Sequence, residues 1–318
     1  MHPARSVIFF TTASGAGYGL IAWFGVLAAL GLLPADRWLG VAGFAVGLVL
    51  VVLGLLSSTY HLGHPERAWR ALSQWRSSWL SREGVAAVFT YLPAGLFGLG
   101  ALTLGFTDEG VIAAGLIAAI GAIVTVACTS MIYASLKAVP AWASGLTMAG
   151  YFCLAGFSGA LLLHALLRAW EHDAATIAGA LTIAFALIAF AVKLGQWARV
   201  DAGVSPSSAE SATGLGGFGK VRLLESAHSQ ANYLMKEMGF QIARRHAGAL
   251  RRAVVILAFF TPTALAIIAL AVGGISATIV ALVAAIAGFC GVAVERWLFF
   301  AEAHHVVMNY YGSSSRAA

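Results

Sequence analysis

Charged residues are scarce in this chain. Only 10% of its 318 residues are Asp, Glu, Lys or Arg, whereas 60% are hydrophobic, and the mean hydropathy is +0.86. Soluble globular domains carry about 25% charged residues, because polar groups must cover their surface. The low charge therefore excludes an ordinary soluble domain and indicates a chain whose apolar side chains face lipid.

Cysteine is scarce as well. Cys128, Cys153 and Cys290 stand singly inside apolar stretches, and no Cys-x-x-Cys pair occurs. This pattern excludes a disulfide framework and offers no ligand set for an iron–sulfur cluster or zinc. A b-type haem needs axial ligands such as His from facing helices. His61 and His304 lie toward one membrane face and no His pair lies near mid-membrane, so we expect no haem on this chain.

The excess of basic residues, 19 Lys and Arg against 13 Asp and Glu, raises the question of nucleic acid. These residues sit in short loops between apolar runs and form no basic domain, so we expect no nucleic-acid partner. A membrane protein distributes its Lys and Arg in this way because they stay in cytoplasmic loops.

Long uncharged runs account for most of the sequence. A membrane-spanning helix needs about 20 mostly apolar residues, and the final run is long enough for two helices with a turn at Gly273 and Gly274. We therefore predict an all-α polytopic membrane protein of about eight transmembrane helices, a single domain over residues 1–318. The runs are Ser6–Ala35, Trp38–Leu62, Gly84–Thr107, Gly110–Leu136, Ala138–Leu167, Ala174–Val192 and Ala253–Val294.

The charges of the loops predict the topology. With an even number of spans both termini lie on one side, and the loops on that side hold most of the Lys and Arg. The positive-inside rule places these loops, and both termini, in the cytoplasm of a bacterium whose inner membrane holds the chain. The basic positions are Arg5, Arg67, Arg70, Arg76, Arg82, Lys137 and the segment Arg199–Arg252; the opposite loops contain Asp36, Arg37, Asp108, Glu109, Arg168, Glu171 and Asp173.

Two of the cytoplasmic loops have patterns of their own. Gly63–Glu83 carries Trp and Arg at helical spacing, which predicts a short helix at the membrane interface or simple interfacial anchoring. The second, a cytoplasmic insert at about 198–252, opens with the Ser- and Gly-rich linker Ser205–Gly219. An amphipathic helix from Lys220 to about His246 should follow, lying on lipid headgroups or against a partner. Gly214–Gly219 matches GxGxxG, but no strand precedes it, so we interpret it as linker.

Polar residues converge on the predicted cytoplasmic end of the bundle. Ionisable groups at membrane depth are costly and are candidates for function. His61 ends the second span and Glu83 lies just before the third, so the two side chains are expected to approach one another. The fourth span has a polar stripe, and the eighth has a polar face that begins at Glu295, with His305 close to this face and Arg296 off to one side. This layout suits a site that binds an amphipathic ligand and moves protons. The stripe is Thr125, Thr129, Tyr133 and Lys137, in which the threonines favour helix–helix hydrogen bonds; the face continues through Glu302 to Asn309.

The segment Tyr60–Trp69 (YHLGHPERAW), followed by Ser78–Glu83 (SWLSRE), resembles the membrane-anchor subunits of the dimethyl sulfoxide reductase family. Tyr133 with Val139–Trp142, and Glu295-Arg296 followed by Phe299 and His304, agree with that resemblance. The resemblance implies a complex in which a molybdopterin catalytic subunit and an iron–sulfur subunit carry out the substrate chemistry. This chain would then hold no molybdenum. The anchor would bind a quinone, either ubiquinone or menaquinone. The resemblance also implies that His61 and Glu83 belong to the quinone site, and we expect Tyr133, Arg296 or His305 to orient the headgroup.

The basic insert departs from the dimethyl sulfoxide reductase anchors. Its segment Tyr233–Phe240 (YLMKEMGF) resembles the anchors of cytoplasmic sulfite dehydrogenases in the same family. We therefore predict a quinone-reactive anchor of a sulfite-oxidising complex. The alternatives are an anchor that oxidises menaquinol for reduction of dimethyl sulfoxide or another S- or N-oxide, an anchor with a scaffold role alone, and a secondary transporter, which would show repeats and broken spans.

Overall fold

Eight long helices form the structure, a computed structural model that describes residues 2–59, 63–203, 205, 207–225, 230, 232–238 and 246–311. All eight are long and apolar enough to cross a membrane, which confirms the predicted all-α polytopic fold. They are α1 (Arg5–Ala29), α2 (Arg37–Thr59), α3 (Trp79–Thr103), α4 (Glu109–Ala134), α5 (Gly145–Ala169), α6 (Ala174–Asp201), α7 (Ala247–Ala271) and α8 (Gly274–Ala301).

Capping side chains mark the starts of several helices. The Ser78 hydroxyl accepts the Ser81 N–H at 3.4 Å at the start of α3, and Asp108 Oδ1 accepts the Val111 N–H at 3.1 Å at the start of α4. These bonds satisfy backbone donors that the first turn leaves unpaired. The predicted turn between the last two helices is confirmed, because α7 ends at Ala271 and Gly274 has a φ of +59°.

Helix α1 lies at the centre of the bundle and packs against α2, α4, α5 and α8. Its approach to α5 is very close: a Cβ on Gly19 would lie 1.9 Å from the carbonyl oxygen of Ala155. Only glycine leaves room for backbones at this separation, as is common where helices associate inside a membrane. The small residue at this position therefore sets how closely α1 and α5 can pack.

Helix α6 extends beyond its predicted end. The predicted end at Val192 is wrong, because the helix continues to Asp201. Lys193, the charged residue just beyond the predicted end, lies inside the bundle and contacts Glu295 of α8. The pairing compensates charges that neither helix could bury alone.

Helix α7 is irregular in its middle. Residues Val255–Phe260 form a π-helical stretch that precedes Pro262. Proline has no N–H to donate to the preceding turn, and a π-bulge is one way for a helix to adjust its hydrogen bonds. The bulge lies against α8, where a Cβ on Gly291 would come within 2.3 Å of the backbone nitrogen of Ala258.

The segments outside the spans differ in part from their predictions. Residues Pro65–Gln74 form a short 3-10 helix, as the helical spacing of Trp and Arg indicated. The predicted helix from Lys220 is wrong at its start, because residues 220–225 are not helical. Among the described residues that follow, 230 and 232 are not helical and a helix runs from Tyr233 to Met238. The Val221 N–H bonds Glu210 Oε1 at 3.1 Å, which ties this stretch to the preceding helix Ala209–Thr213 instead. Residues 239–245 lie outside the described part of the chain.

The N-terminus, the insert and the C-terminal segment lie together at one end of the bundle, here called the terminal face. The His2 N–H bonds the Glu237 carbonyl at 2.7 Å, and Asn309 Nδ2 bonds the Ser207 carbonyl at 3.0 Å. Asn309 does not continue the polar face of α8, as its spacing predicted, because that helix ends at Ala301 and Asn309 belongs to the 3-10 helix Val306–Tyr311.

Candidate functional site

Glu83 is buried inside the bundle close to the terminal face. It is the fifth residue of α3, and only 3% of it is exposed. Its carboxylate accepts a hydrogen bond from the Thr129 hydroxyl of α4. One turn deeper, the Thr90 and Thr125 hydroxyls lie 3.4 Å apart. The polar stripe of α4 thus joins α4 to α3, as predicted for its threonines, and holds Glu83 in a fixed position. His61, the predicted partner of Glu83, lies outside the described residues.

Aromatic side chains pack beside this carboxylate. Tyr133 stacks on Tyr151 with ring centroids 5.8 Å apart, and Trp142 stacks on Phe299 at 5.5 Å. Trp142 Nε1 also donates to the Phe299 carbonyl at 3.0 Å. These contacts fasten the end of α8 to α4, to α5 and to the loop between them. Tyr133 and Arg296, two of the predicted site residues, both adjoin Tyr151 and are thereby brought together.

A cluster of three buried charges lies where α6 meets α8. The Glu295 carboxylate accepts from Lys193 Nζ, and its other oxygen accepts from Arg296 Nε at 2.5 Å. The Arg296 guanidinium lies 4.5 Å above the Tyr151 ring, in a cation–π contact. Two cations share one anion, so the cluster has a formal charge of +1 deep inside the protein. Lys193 was missed in the sequence, where a lysine after an apolar run looked like the end of the span.

A small polar cavity separates the Glu83 region from this charge cluster. Its volume is about 20 Å³, enough for a water molecule or a single oxygen-sized group. Thr129, which donates to Glu83, lines one side, and Arg296 lines the other. The cavity therefore lies between the Glu83 region and the charge cluster and is in contact with both. The other polar residues around it are Thr11, Thr12, Ser14, Tyr18, Tyr151 and Ser158.

His305 lies in the chain just after α8 and is partly buried. Its Nδ1 accepts the Val307 N–H at 3.1 Å, and burial lowers the pKa of its imidazole. Within the described residues, no hydrogen bond joins His305 to Glu83, Tyr133 or Arg296. The structure therefore brings together three of the four described site residues and places the fourth nearer the surface.

The sequence did not single out Tyr18 and Tyr151, although both face the cavity. Each is a lone tyrosine in an apolar stretch, where an aromatic residue commonly packs in the core. A tyrosine placed well inside a span, with a hydroxyl that needs a partner, was the available signal.

These features define an integral membrane protein with a titratable, hydrogen-bonded interior toward one face. No group of three or more His, Cys, Asp or Glu side chains is placed to hold a metal ion in the part of the chain that the structure describes.

The chain belongs to the family of the DMSO reductase anchor subunit (DmsC), whose model matches residues 1–301. It is also similar to a sulfite dehydrogenase subunit of Allochromatium vinosum, with 33% identity over 98% of this chain and 99% of that protein. The resemblance seen in the sequence is thereby confirmed. The protein is a membrane-anchor subunit of a complex of the DMSO reductase family.

Proposed function

We propose that this chain binds a quinone and passes electrons between it and the iron–sulfur subunit of a molybdopterin-containing complex that oxidises sulfite. The observation that supports quinone binding most strongly is Glu83, a buried carboxylate held by Thr129 beside Tyr133 in an anchor subunit. A buried ionisable group at membrane depth is costly and is seldom kept without a role. Sulfite as the partner's substrate is supported by the similarity to a sulfite dehydrogenase subunit.

The residues of the interior fit a quinone headgroup. A quinone has two carbonyl oxygens that accept hydrogen bonds, and Tyr151 and Arg296 offer buried donors near the aromatic cluster. When bound, the quinone supplies a two-electron, two-proton redox couple. Aromatic side chains such as Tyr133 provide flat, apolar walls against which a ring can pack.

Each residue then has a distinct task. Glu83 takes up and releases the protons of the couple, and Thr129 holds its carboxylate in place. His61 remains a predicted partner of Glu83 at the water boundary, where an imidazole titrates near neutral pH. Arg296 orients the headgroup through its donors, and His305 is proposed to relay protons between this interior and water.

The orientation follows from the loops. We propose a multi-pass protein of the bacterial inner membrane whose terminal face is cytoplasmic, since this face has most of the Lys and Arg. The iron–sulfur subunit would dock there, because the basic insert lies on the same face. Electrons and protons then reach the quinone from one side.

The test removes the ionisable group of Glu83 and keeps its size. In membranes that contain the whole complex, we expect Glu83→Gln to slow quinone-linked turnover about 100-fold or more, the usual contribution of a proton-transferring group. Oxidation of substrate with a soluble artificial acceptor should be unchanged, because that chemistry lies on another subunit. His61→Ala should behave in the same way.

Glu109→Gln is the matched control, since Glu109 is an exposed carboxylate at the other end of the bundle. It should leave both activities at the wild-type level. If the Glu83→Gln complex assembles and reduces quinone at the normal rate, the proposed role of Glu83 is wrong.

A further inference from the structure

A groove open to lipid adjoins the polar cavity. It lies between α1, α4, α5 and α6, has a volume of about 290 Å³ and is lined almost wholly by apolar side chains. Tyr18, Val126 and Ala155 line both spaces, so the groove and the cavity share a wall. Sites for small molecules typically have about 300–1,000 Å³ and combine apolar walls with a few convergent polar groups. The remaining groove residues include Ala22, Trp23, Val26, Phe152 and Phe185.

The polar groups that converge here are hydrogen-bond donors. The Tyr18 hydroxyl, the Tyr151 hydroxyl and Arg296 Nη2 are buried and have no hydrogen bond of good geometry within the described residues. A buried donor without a partner is costly, so such groups are rare in native proteins. Thr125 lies beside the Tyr18 hydroxyl, and Tyr133 and Arg296 lie beside the Tyr151 hydroxyl, but none of these pairs forms a hydrogen bond of good geometry. An acceptor placed in the cavity would satisfy all three donors.

Other hydroxyls of the cavity are already engaged with the backbone. Thr12 donates to the Ile8 carbonyl at 2.8 Å, Ser14 to the Phe10 carbonyl at 2.7 Å and Ser158 to the Leu154 carbonyl at 2.7 Å. Each of these bonds stays within its own helix. The donors that lack a well-formed hydrogen bond are therefore two phenols and one guanidinium, on α1, α5 and α8.

We propose that the groove holds the ring and isoprenoid chain of the quinone, and that one carbonyl oxygen enters the cavity to accept from Tyr18, Tyr151 and Arg296. This inference rests on the proposed function and adds a place, an entrance from the lipid and two phenol ligands to it. A lipid acyl chain would fill the groove but has no acceptor for the donors. Water would satisfy the donors and leave the groove to lipid.

The same position explains how the ligand communicates with Glu83. Thr129 lines the cavity and donates to the Glu83 carboxylate. An oxygen in the cavity is thus separated from the proton-exchanging group by one side chain. Tyr18 stands at the boundary between the apolar groove and this polar interior.

The experiment measures binding and not only turnover. The dissociation constant of decylubiquinone for the purified complex is determined by calorimetry for the wild type and for Tyr18→Phe and Tyr151→Phe, which remove one hydroxyl each. We expect each to weaken binding about two- to tenfold, the usual effect of losing one hydrogen bond. Ala22→Phe, which fills the groove, should weaken it about fivefold or more.

Two matched controls keep the result specific. Tyr310→Phe removes an exposed phenol and Ala45→Phe adds a ring to an exposed position on α2, and neither should change the dissociation constant. If the wild-type complex binds neither decylubiquinone nor a menaquinone analogue, the proposed function itself fails. If the wild type binds quinone and Tyr18→Phe, Tyr151→Phe and Ala22→Phe bind it equally well, the function stands and this placement is wrong.

Discussion

Glu295→Gln should destabilise the folded chain far more than Lys193→Met, although both substitutions break the same ion pair. Glu295 is fully buried between Lys193 and Arg296. The glutamine variant raises the formal charge of the cluster from +1 to +2, with two cations facing a neutral amide. The methionine variant lowers it to zero and leaves the pair of Glu295 and Arg296.

The expected loss of folding stability depends on which charges each variant leaves in the cluster. Removing one partner of a buried ion pair so that charge stays uncompensated costs about 3–5 kcal/mol, which we expect for Glu295→Gln. An apolar side chain of similar length in place of Lys193 also removes the cost of burying the ammonium. We expect Lys193→Met to cost less than about 2 kcal/mol, close to the value of one charged hydrogen bond.

Thermal unfolding of the purified chain in detergent, followed by circular dichroism, measures the difference. The double variant should recover part of the loss of Glu295→Gln, because Arg296 is then the one cation left in the cluster. Glu66→Gln is the control, since Glu66 and Arg67 form an exposed pair at 3.8 Å that should contribute little. If Lys193→Met unfolds at as low a temperature as Glu295→Gln, the uncompensated charge left in the cluster does not determine the loss of stability, and the reasoning is refuted.

Two further predictions concern packing and orientation. Gly19→Ala should disrupt the contact of α1 with α5 and lower both expression and the unfolding temperature. Gly95→Ala is the control and should be tolerated, because a Cβ there meets nothing within 4 Å. Equal tolerance of both substitutions would contradict the close packing. Reporter fusions after Arg76 and after Ser208 should read cytoplasmic and one after Glu109 periplasmic, and the reverse at all three sites would overturn the proposed orientation.

The fold was predictable because the rule behind it is simple. Apolar runs of sufficient length become spans, and all eight were found. The ends of the spans were less predictable, because the rule assumes that every charged side chain is exposed to water and therefore ends a span. Lys193 remains inside the bundle because Glu295, 102 residues away, compensates it. A pairing between helices so distant in sequence has no signature in either helix alone.

The site was predictable only where chemistry and position coincided. Glu83 stood out as a carboxylate beside a membrane boundary, and the i+4 spacing of Thr125 and Thr129 indicated a contact between helices that the structure confirms. Tyr18 was not singled out, because the role proposed for it depends on a cavity formed by four helices. The helix predicted from Lys220 failed for a similar reason, since the Glu210 side chain binds the backbone there.

Among the described residues, most of the buried ionisable side chains lie in the half of the bundle next to the terminal face. Glu83 lies four residues from the start of α3 and Arg296 five residues from the end of α8, so both are within about 10 Å of the terminal face at 1.5 Å per residue. Toward the opposite face, His164 and Arg168 are the titratable side chains inside the described α5. On the proposed function, electrons and their protons would meet the quinone from the same side. Turnover would then carry no net charge through the bilayer, and the free energy of the reaction would be stored in the reduced quinone pool and not as a membrane potential.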